Sequence, residues 1–238
     1  MPAPQRLARV AGLLYLIVGV CGAFAEIVRA TVYKAGDAAT TAANVATHAG
    51  LVRASVVADL VAVPTGLFTA MALYLLLKHV HANAARTMVA FLAVAAAMML
   101  LNLAHQFQAL HVTDAAYTGA FGEQGSDALV LLMLDLHHYG YLMTQVFFGL
   151  WLLPMGYLVY RSGMIPRAIG VLLMVGCFGY LVDTFARFAV PEVGAVLGPY
   201  VVTPAAVAEV SMVLWLLIKG VKVPQPDRPA AVAAAVNP

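Results

Sequence analysis

Apolar stretches of about twenty residues recur six times along this chain: roughly 8–28, 53–77, 87–110, 128–160, 168–188 and 200–218. Each is long enough to cross a hydrocarbon layer of ~30 Å as a helix. In lipid every backbone N–H and C=O needs an internal partner, and no strand-like alternation is present, so helices are the only solution. Composition agrees: 63% hydrophobic and 10% charged, against about 45–50% and ~25% in an ordinary soluble domain. The expected fold is therefore all-α, a polytopic bundle of six transmembrane helices within residues 1–222. Residues 223–238 are expected to form a disordered Pro/Ala-rich tail. The fourth stretch exceeds one crossing, so it should tilt, project from the membrane or break near Gly140. Between the first two spans, the Ala-rich stretch Ala38–Ala46 is expected to form a short helix.

Arg6, Arg9, Lys78, Arg86, Arg161, Arg167, Lys219, Lys222 and Arg228 all fall on one side of such a bundle. Arg29, Lys34, Arg53 and Arg187 fall on the other. By the positive-inside rule both termini are cytoplasmic. Ten of the eleven acidic residues, all but Asp227, lie at or beyond the mid-plane on the outer side. Arg6 and Arg9 followed by apolar residues and Ala23-Phe24-Ala25 imitate a signal peptide, but the apolar run exceeds an h-region of 7–15 residues. The segment is read as a span. With a formal charge of +2 there is no basic stripe for nucleic acid, and the lipid bilayer is the partner that composition implies.

Spans 1 and 5 echo one another. Gly19-x-x-Gly22, Glu26 and Arg29 match Gly176-x-x-Gly179, Asp183 and Arg187. A parallel hairpin repeat and the limited alphabet of apolar helices both explain this. In span 1, Gly12, Tyr15, Gly19, Gly22 and Glu26 lie within about 80° at 100° per residue. Small residues on one face admit a neighbouring helix, so Glu26 is expected on the packed side. Pro64 frees the carbonyl of Leu60 and is expected to kink its helix beside Asp59.

Ionisable groups inside a membrane are expensive and face the bundle or a wet cavity. At a rise of ~1.5 Å per residue, Glu26, Asp59, His105 and Asp183 sit roughly 9–12 Å to the outer side of centre. Glu209 lies near the centre, and Asp135, His137 and His138 lie near the outer mouth. The inner half has few polar groups, so an outward-facing pocket for a small ligand or ion fits better than a pore. Asp59, His105, His137, Asp183 and Glu209 are the expected ligand-binding residues. The structural alternative for each is a hydrogen bond or ion pair fixing helix register, with Asp183–Arg187 and Glu26–Arg29 the plainest pairs.

Other chemistries find less support. A membrane-embedded metal-assisted hydrolase could use His105, Asp135 and Glu209, with His138 or Asp59 as further donors, yet no tight metal-ligand motif occurs. A haem between His105 and His137 or His138 would join residues of different depth. Ser55, Ser126, Ser162 and Ser211 lie in no nucleophile elbow. Cys21 and Cys177 lie in apolar surroundings where thiols stay protonated. No phosphate loop or dinucleotide fingerprint identifies a cofactor. A structural or partner-binding subunit is the remaining class.

Several segments carry a resemblance: Ala11-Gly12-Leu13-Leu14-Tyr15-Leu16, Leu134 to Tyr141, Val146-Phe147-Phe148-Gly149 and Gly156 to Gly163. With Pro166-Arg167, Gly170 and Gly179 to Phe185, the chain from about Arg6 to Val221 resembles the bacterial membrane family DUF4386. The resemblance implies a six-span bacterial inner-membrane protein and supplies no activity, substrate, cofactor or catalytic residue. Its Leu-His element falls on His137. His138 stands where the family pattern has a small residue, which counts against metal binding by Asp135 and His138.

Overall fold

The computed structural model describes residues 3–222, so the expected tail at 223–238 lies outside the described residues. Eight helices follow in order: α1 (Ala3–Val32), α2 (Ala38–Thr47), α3 (Ala49–Leu77), α4 (Ala82–His111), α5 (Ala115–Ser162), α6 (Arg167–Ala189), α7 (Pro191–Val201) and α8 (Thr203–Ile218). Six segments are long and apolar enough to cross a membrane, the last of them α7 and α8 together, Pro191–Ile218. The chain is an all-α multi-pass membrane protein. The short α2 falls on the predicted Ala-rich stretch, its N-terminus capped where Asp37 accepts from the Thr40 backbone N–H at 3.0 Å.

The spans pack in sequence around a ring: α1 against α3, α3 against α4, α4 against α5, α5 against α6, α6 against α8, and α8 back against α1. Gln5 Nε2 donates to the Val221 carbonyl at 2.6 Å, so the two described ends meet at one end of the bundle, here the Gln5 end. Glycines set the closest approaches. A Cβ on Gly156 would sit 2.6 Å from the Gly170 carbonyl, and one on Gly176 would sit 2.7 Å from the Ala205 Cα. The α7–α8 run descends along α6 in steady register: Gly194 against Arg187, Gly198 against Asp183, Val201 against Gly179, Ala205 against Gly176.

Two departures from the sequence expectation concern α5 and the sixth span. No break occurs near Gly140. The helix is interrupted at Gly122 (φ 72, ψ 171), a backbone conformation that side chains with a Cβ rarely adopt. Gly140 has another use: a Cβ there would meet the Asn102 side chain, with Cγ at 2.7 Å, so its absence lets α4 and α5 close up. Beyond the break α5 still exceeds one crossing and projects past the bundle, where α2 docks on it. Val28, Val32, Val45, Val52, Val130 and Leu134 form a second apolar cluster there. The sixth span begins at Pro191, nine residues before the apolar stretch that marks it in the sequence, because α7 is helical despite Gly194, Gly198 and Pro199.

The main core fills the Gln5 end. Leu73, Leu77, Met88, Leu152, Met155, Leu158, Met212 and Leu216 are fully buried there, beginning about four turns beyond Asp59 in α3, two beyond Gln145 in α5 and one beyond Glu209 in α8. This block closes the interior on that side. At the opposite end, here the Arg29 end, the buried polar residues collect.

Candidate functional site

Within the ring, above the apolar block, lies a cavity of about 550 Å³ walled by all six spans. Gly19 of α1, Gly66 of α3, Met99 of α4, Phe148 of α5, Tyr180 of α6 and Val213 of α8 each contribute to the wall. Its volume falls in the range of small-molecule pockets, roughly 300–1,000 Å³. Most of the lining is apolar or aromatic, and the charged groups stand at two stations.

The first station is Glu209 on α8. Its Oε1 accepts from the Tyr15 hydroxyl at 2.6 Å, and its Oε2 accepts from the Tyr180 hydroxyl at 3.3 Å. Tyr15 packs edge-on to Trp151 with ring centroids 5.7 Å apart. Helices α1, α5, α6 and α8 therefore meet around one carboxylate.

The second station is Arg29 at the last turn of α1. Its Nη1 donates to Asp59 Oδ2 at 2.6 Å, and its Nε donates to Glu26 Oε2 at 3.1 Å. Nη1 also reaches Gln106 Oε1 at 3.4 Å, while Gln106 Nε2 donates to the Ser55 hydroxyl at 2.8 Å. The guanidinium lies 5.8 Å from the centroid of the Tyr141 ring. One cation thus ties α1 to α3, α4 and α5. Arg29, Asp59 and Tyr141 all line the cavity.

Of the five expected ligand-binding residues, Asp59 and Glu209 line this cavity, whereas His105, His137 and Asp183 do not. His137 is 2% exposed and lies in the α4–α5 seam. Its Nδ1 sits 3.2 Å from the Asn102 carbonyl, and Asn102 Nδ2 donates to the His137 carbonyl at 2.8 Å. The other ring nitrogen of His137 is buried without a partner. His105 Nδ1 lies 3.3 Å from Asn102 Oδ1, beside the same seam. Asp183 is held between α5 and α6, accepting from Arg187 Nε at 2.7 Å and from Gln145 Nε2 at 2.8 Å. The expected Asp183–Arg187 and Glu26–Arg29 ion pairs both form.

Glu26 departs from its expected place. Its side chain is 61% exposed, not packed inside. The glycine face explains the difference: Gly12 meets Leu216 and Leu217, but a Cβ on Gly19 or Gly22 would find no atom within 4 Å. Helices α1 and α8 touch near the Gln5 end and part above it. Val20 and Val210 line the cavity while remaining 61% and 58% exposed. The cavity therefore opens sideways between α1 and α8, onto surface that a span presents to lipid.

The residues of the metal-hydrolase alternative do not meet. His105 turns to Asn102, Glu209 to two tyrosines, and Asp135 accepts from the Tyr33 hydroxyl at 2.6 Å. Burial, followed by this hydrogen bond, pushes the Tyr33 phenol above its ordinary pKa. Among the described residues no three His, Cys, Asp or Glu side chains converge as a metal site would need. Arg29, Tyr15, Tyr141 and Tyr180 are the members of the two stations that line the cavity without being singled out by the sequence as ligand-binding. Tyr15 and Arg29 are within its reach, since each lies seven residues from Gly22 and so shares its helical face.

The family described as "Domain of unknown function (DUF4386)" matches residues 10–220. An uncharacterised protein of Archaeoglobus fulgidus is 33% identical over 153 residues, covering 64% of this chain and 75% of its own length. No solved structure gives a significant match.

Proposed function

This chain belongs to the DUF4386 family, and on that footing we propose that it is a ligand-binding protein of the bacterial inner membrane that holds one small molecule in its central cavity. One observation carries the reading: six spans surround about 550 Å³ of space instead of filling it. Close packing is the rule in protein interiors, and the Gln5 end of this same bundle obeys it. A chain able to pack that end with leucine and methionine keeps the cavity open by placing Gly19, Gly22 and Gly66 on its wall. The apolar lining takes the body of the ligand, and the Glu209 and Arg29–Asp59 stations orient it.

The binding site in this reading comprises Asp59 and Glu209 with Arg29, Tyr15, Tyr141 and Tyr180. His137 and Asp183 tie together helices that form its wall, and His105 sits against Asn102 of its own helix. Both chain ends lie in the cytoplasm, and the Arg29 end faces outward, as the charge distribution favours. A pocket suits the interior better than a conducting path, since the apolar block offers an ion no polar partner on the Gln5 side.

The test is to fill the space. Solvent extraction and mass spectrometry of the purified wild-type chain should find a low-mass species near one per protein. Gly19→Trp should lose that species while keeping its thermal unfolding midpoint. A wild-type chain that carries nothing, or a Gly19→Trp chain that keeps its cargo, overturns the reading. Orientation is checked separately with a membrane-impermeant maleimide. Ala38→Cys should react in intact cells, and Lys78→Cys only after lysis.

A further inference from the structure

Glu209 is the carboxylate of the cavity wall that has no cation beside it. The ion pairs among the described residues join Arg29 to Glu26, Arg29 to Asp59 and Arg187 to Asp183. Arg29 is the cationic side chain of the lining, and two carboxylates already engage it. With Glu209 ionised, the lining carries one negative charge in excess: Asp59 and Glu209 against Arg29. A carboxylate at this depth has either to be neutral or to meet a positive charge. The tyrosines at 2.6 and 3.3 Å supply hydrogen bonds to both of its oxygens but no charge.

The surroundings select the kind of charge that could complete it. Tyr15, Tyr141, Phe148, Trp151 and Tyr180 line the same cavity, and electron-rich ring faces attract cations. Strongly hydrated metal ions would find too few oxygen donors, because the remaining wall is mostly aliphatic, as at Val63, Leu92, Ala96 and Val213, and the Thr69 hydroxyl is engaged with the Thr65 carbonyl. An anion would meet the excess negative charge. A neutral lipid tail would use the apolar wall and leave the acid without a role. The opening between α1 and α8, bordered by Val20 and Val210, admits a molecule that is already dissolved in the bilayer.

We propose that the ligand is a lipophilic monocation, entering from the bilayer between α1 and α8 and seating its charge at Glu209 among the aromatic rings. This rests on the ligand-pocket reading given above and adds the sign of the ligand's charge and its route.

The experiment uses the full chain in nanodiscs, with equilibrium dialysis corrected on empty discs. Two probes are compared: tetraphenylphosphonium, a monocation, and triphenylphosphine oxide, an uncharged molecule of related shape. The wild type should bind the cation at least roughly tenfold more tightly than the neutral probe, as loss or gain of a desolvated charge partner implies. Glu209→Gln should keep the neutral probe's affinity and lose the preference for the cation. Glu209→Asp, which keeps the charge, should retain part of that preference, and neutral-probe binding certifies that each variant is folded. If wild type and Glu209→Gln bind both probes alike, the cation proposal falls while the pocket reading stands. If Gly19→Trp binds the cation as well as wild type, the route and seat are wrong. If wild-type protein binds neither probe, the pocket reading falls with it.

Discussion

Helices α1 and α6 share a spacing and put it to opposite uses. In α6, Gly176 and Gly179 are pressed against Ala205 and the Val201 carbonyl, and Asp183 is 4% exposed. In α1, Gly19 and Gly22 face open space, and the side chain of Glu26 is 61% exposed. Chain connection accounts for the contrast. After α6 the chain turns at Val190 and folds straight back, so α7 and α8 descend along the glycine face. After α1 it passes through α2, and α3 then takes the neighbouring stripe, where a Cβ on Gly66 would sit 3.9 Å from the Val18 side chain. The last helix reaches α1 only near Gly12. A small-residue face is thus permission for close approach, and topology decides whether anything accepts it.

The largest effect that could break this comparison lies in the two arginines. Arg29→Met strands the buried Asp59 carboxylate and should cost about 3–5 kcal/mol. Arg187→Met should cost nearer 1 kcal/mol, because Arg187 is 27% exposed and Gln145 still donates to Asp183. Denaturant titration in detergent would rank them, and equal losses would erase the distinction. Next come the glycines themselves. Gly176→Leu forces a side chain into Ala205 and should lose about 3 kcal/mol. Gly19→Leu enters empty space and should stay within about 0.5 kcal/mol of wild type. Glu209→Gln should shift stability by under ~1 kcal/mol, since one hydrogen bond to a tyrosine survives. The smallest signal is chemical. Cys21 and Cys177 follow Gly19 and Gly176 in the two helices, one half-buried and one fully buried. A bilayer-soluble maleimide should label Cys21 several times faster, and equal rates would mean that the two thiols are equally covered.

Much of the architecture is legible in the sequence because membrane helices advertise themselves by length and hydropathy. The short α2 is legible as well, from its alanine-rich run, while its cap at Asp37 is seen in the structure. The start of the sixth span is not legible, since Pro191, Glu192, Gly194 and Pro199 read locally as a connection and become helical by docking on α6. Of the options that the sequence leaves for the over-long fourth stretch, projection is realised and a break near Gly140 is not. Both Gly122 and Gly140 omit a Cβ, but only the φ of Gly122 requires it, while Gly140 makes room for Asn102. For the site, counting residues gives height within the membrane and says nothing of position around the ring. Asp59 and His105 fall at similar height, yet Asp59 meets Arg29 across the interior and His105 stays beside its own Asn102. Costly residues can be found from sequence. Their grouping depends on the order of helices.

The block of Leu73, Leu77, Leu152, Met155, Met212 and Leu216 has an electrical consequence. Voltage across a membrane falls mainly over the material that polarises least, and a layer of leucine and methionine side chains polarises little. Moving one elementary charge through the full field costs about 2.3 kcal/mol per 100 mV. The insulation of the bundle is therefore concentrated in a few turns of side chains, and the helices above them can hold ionised groups without short-circuiting the cell.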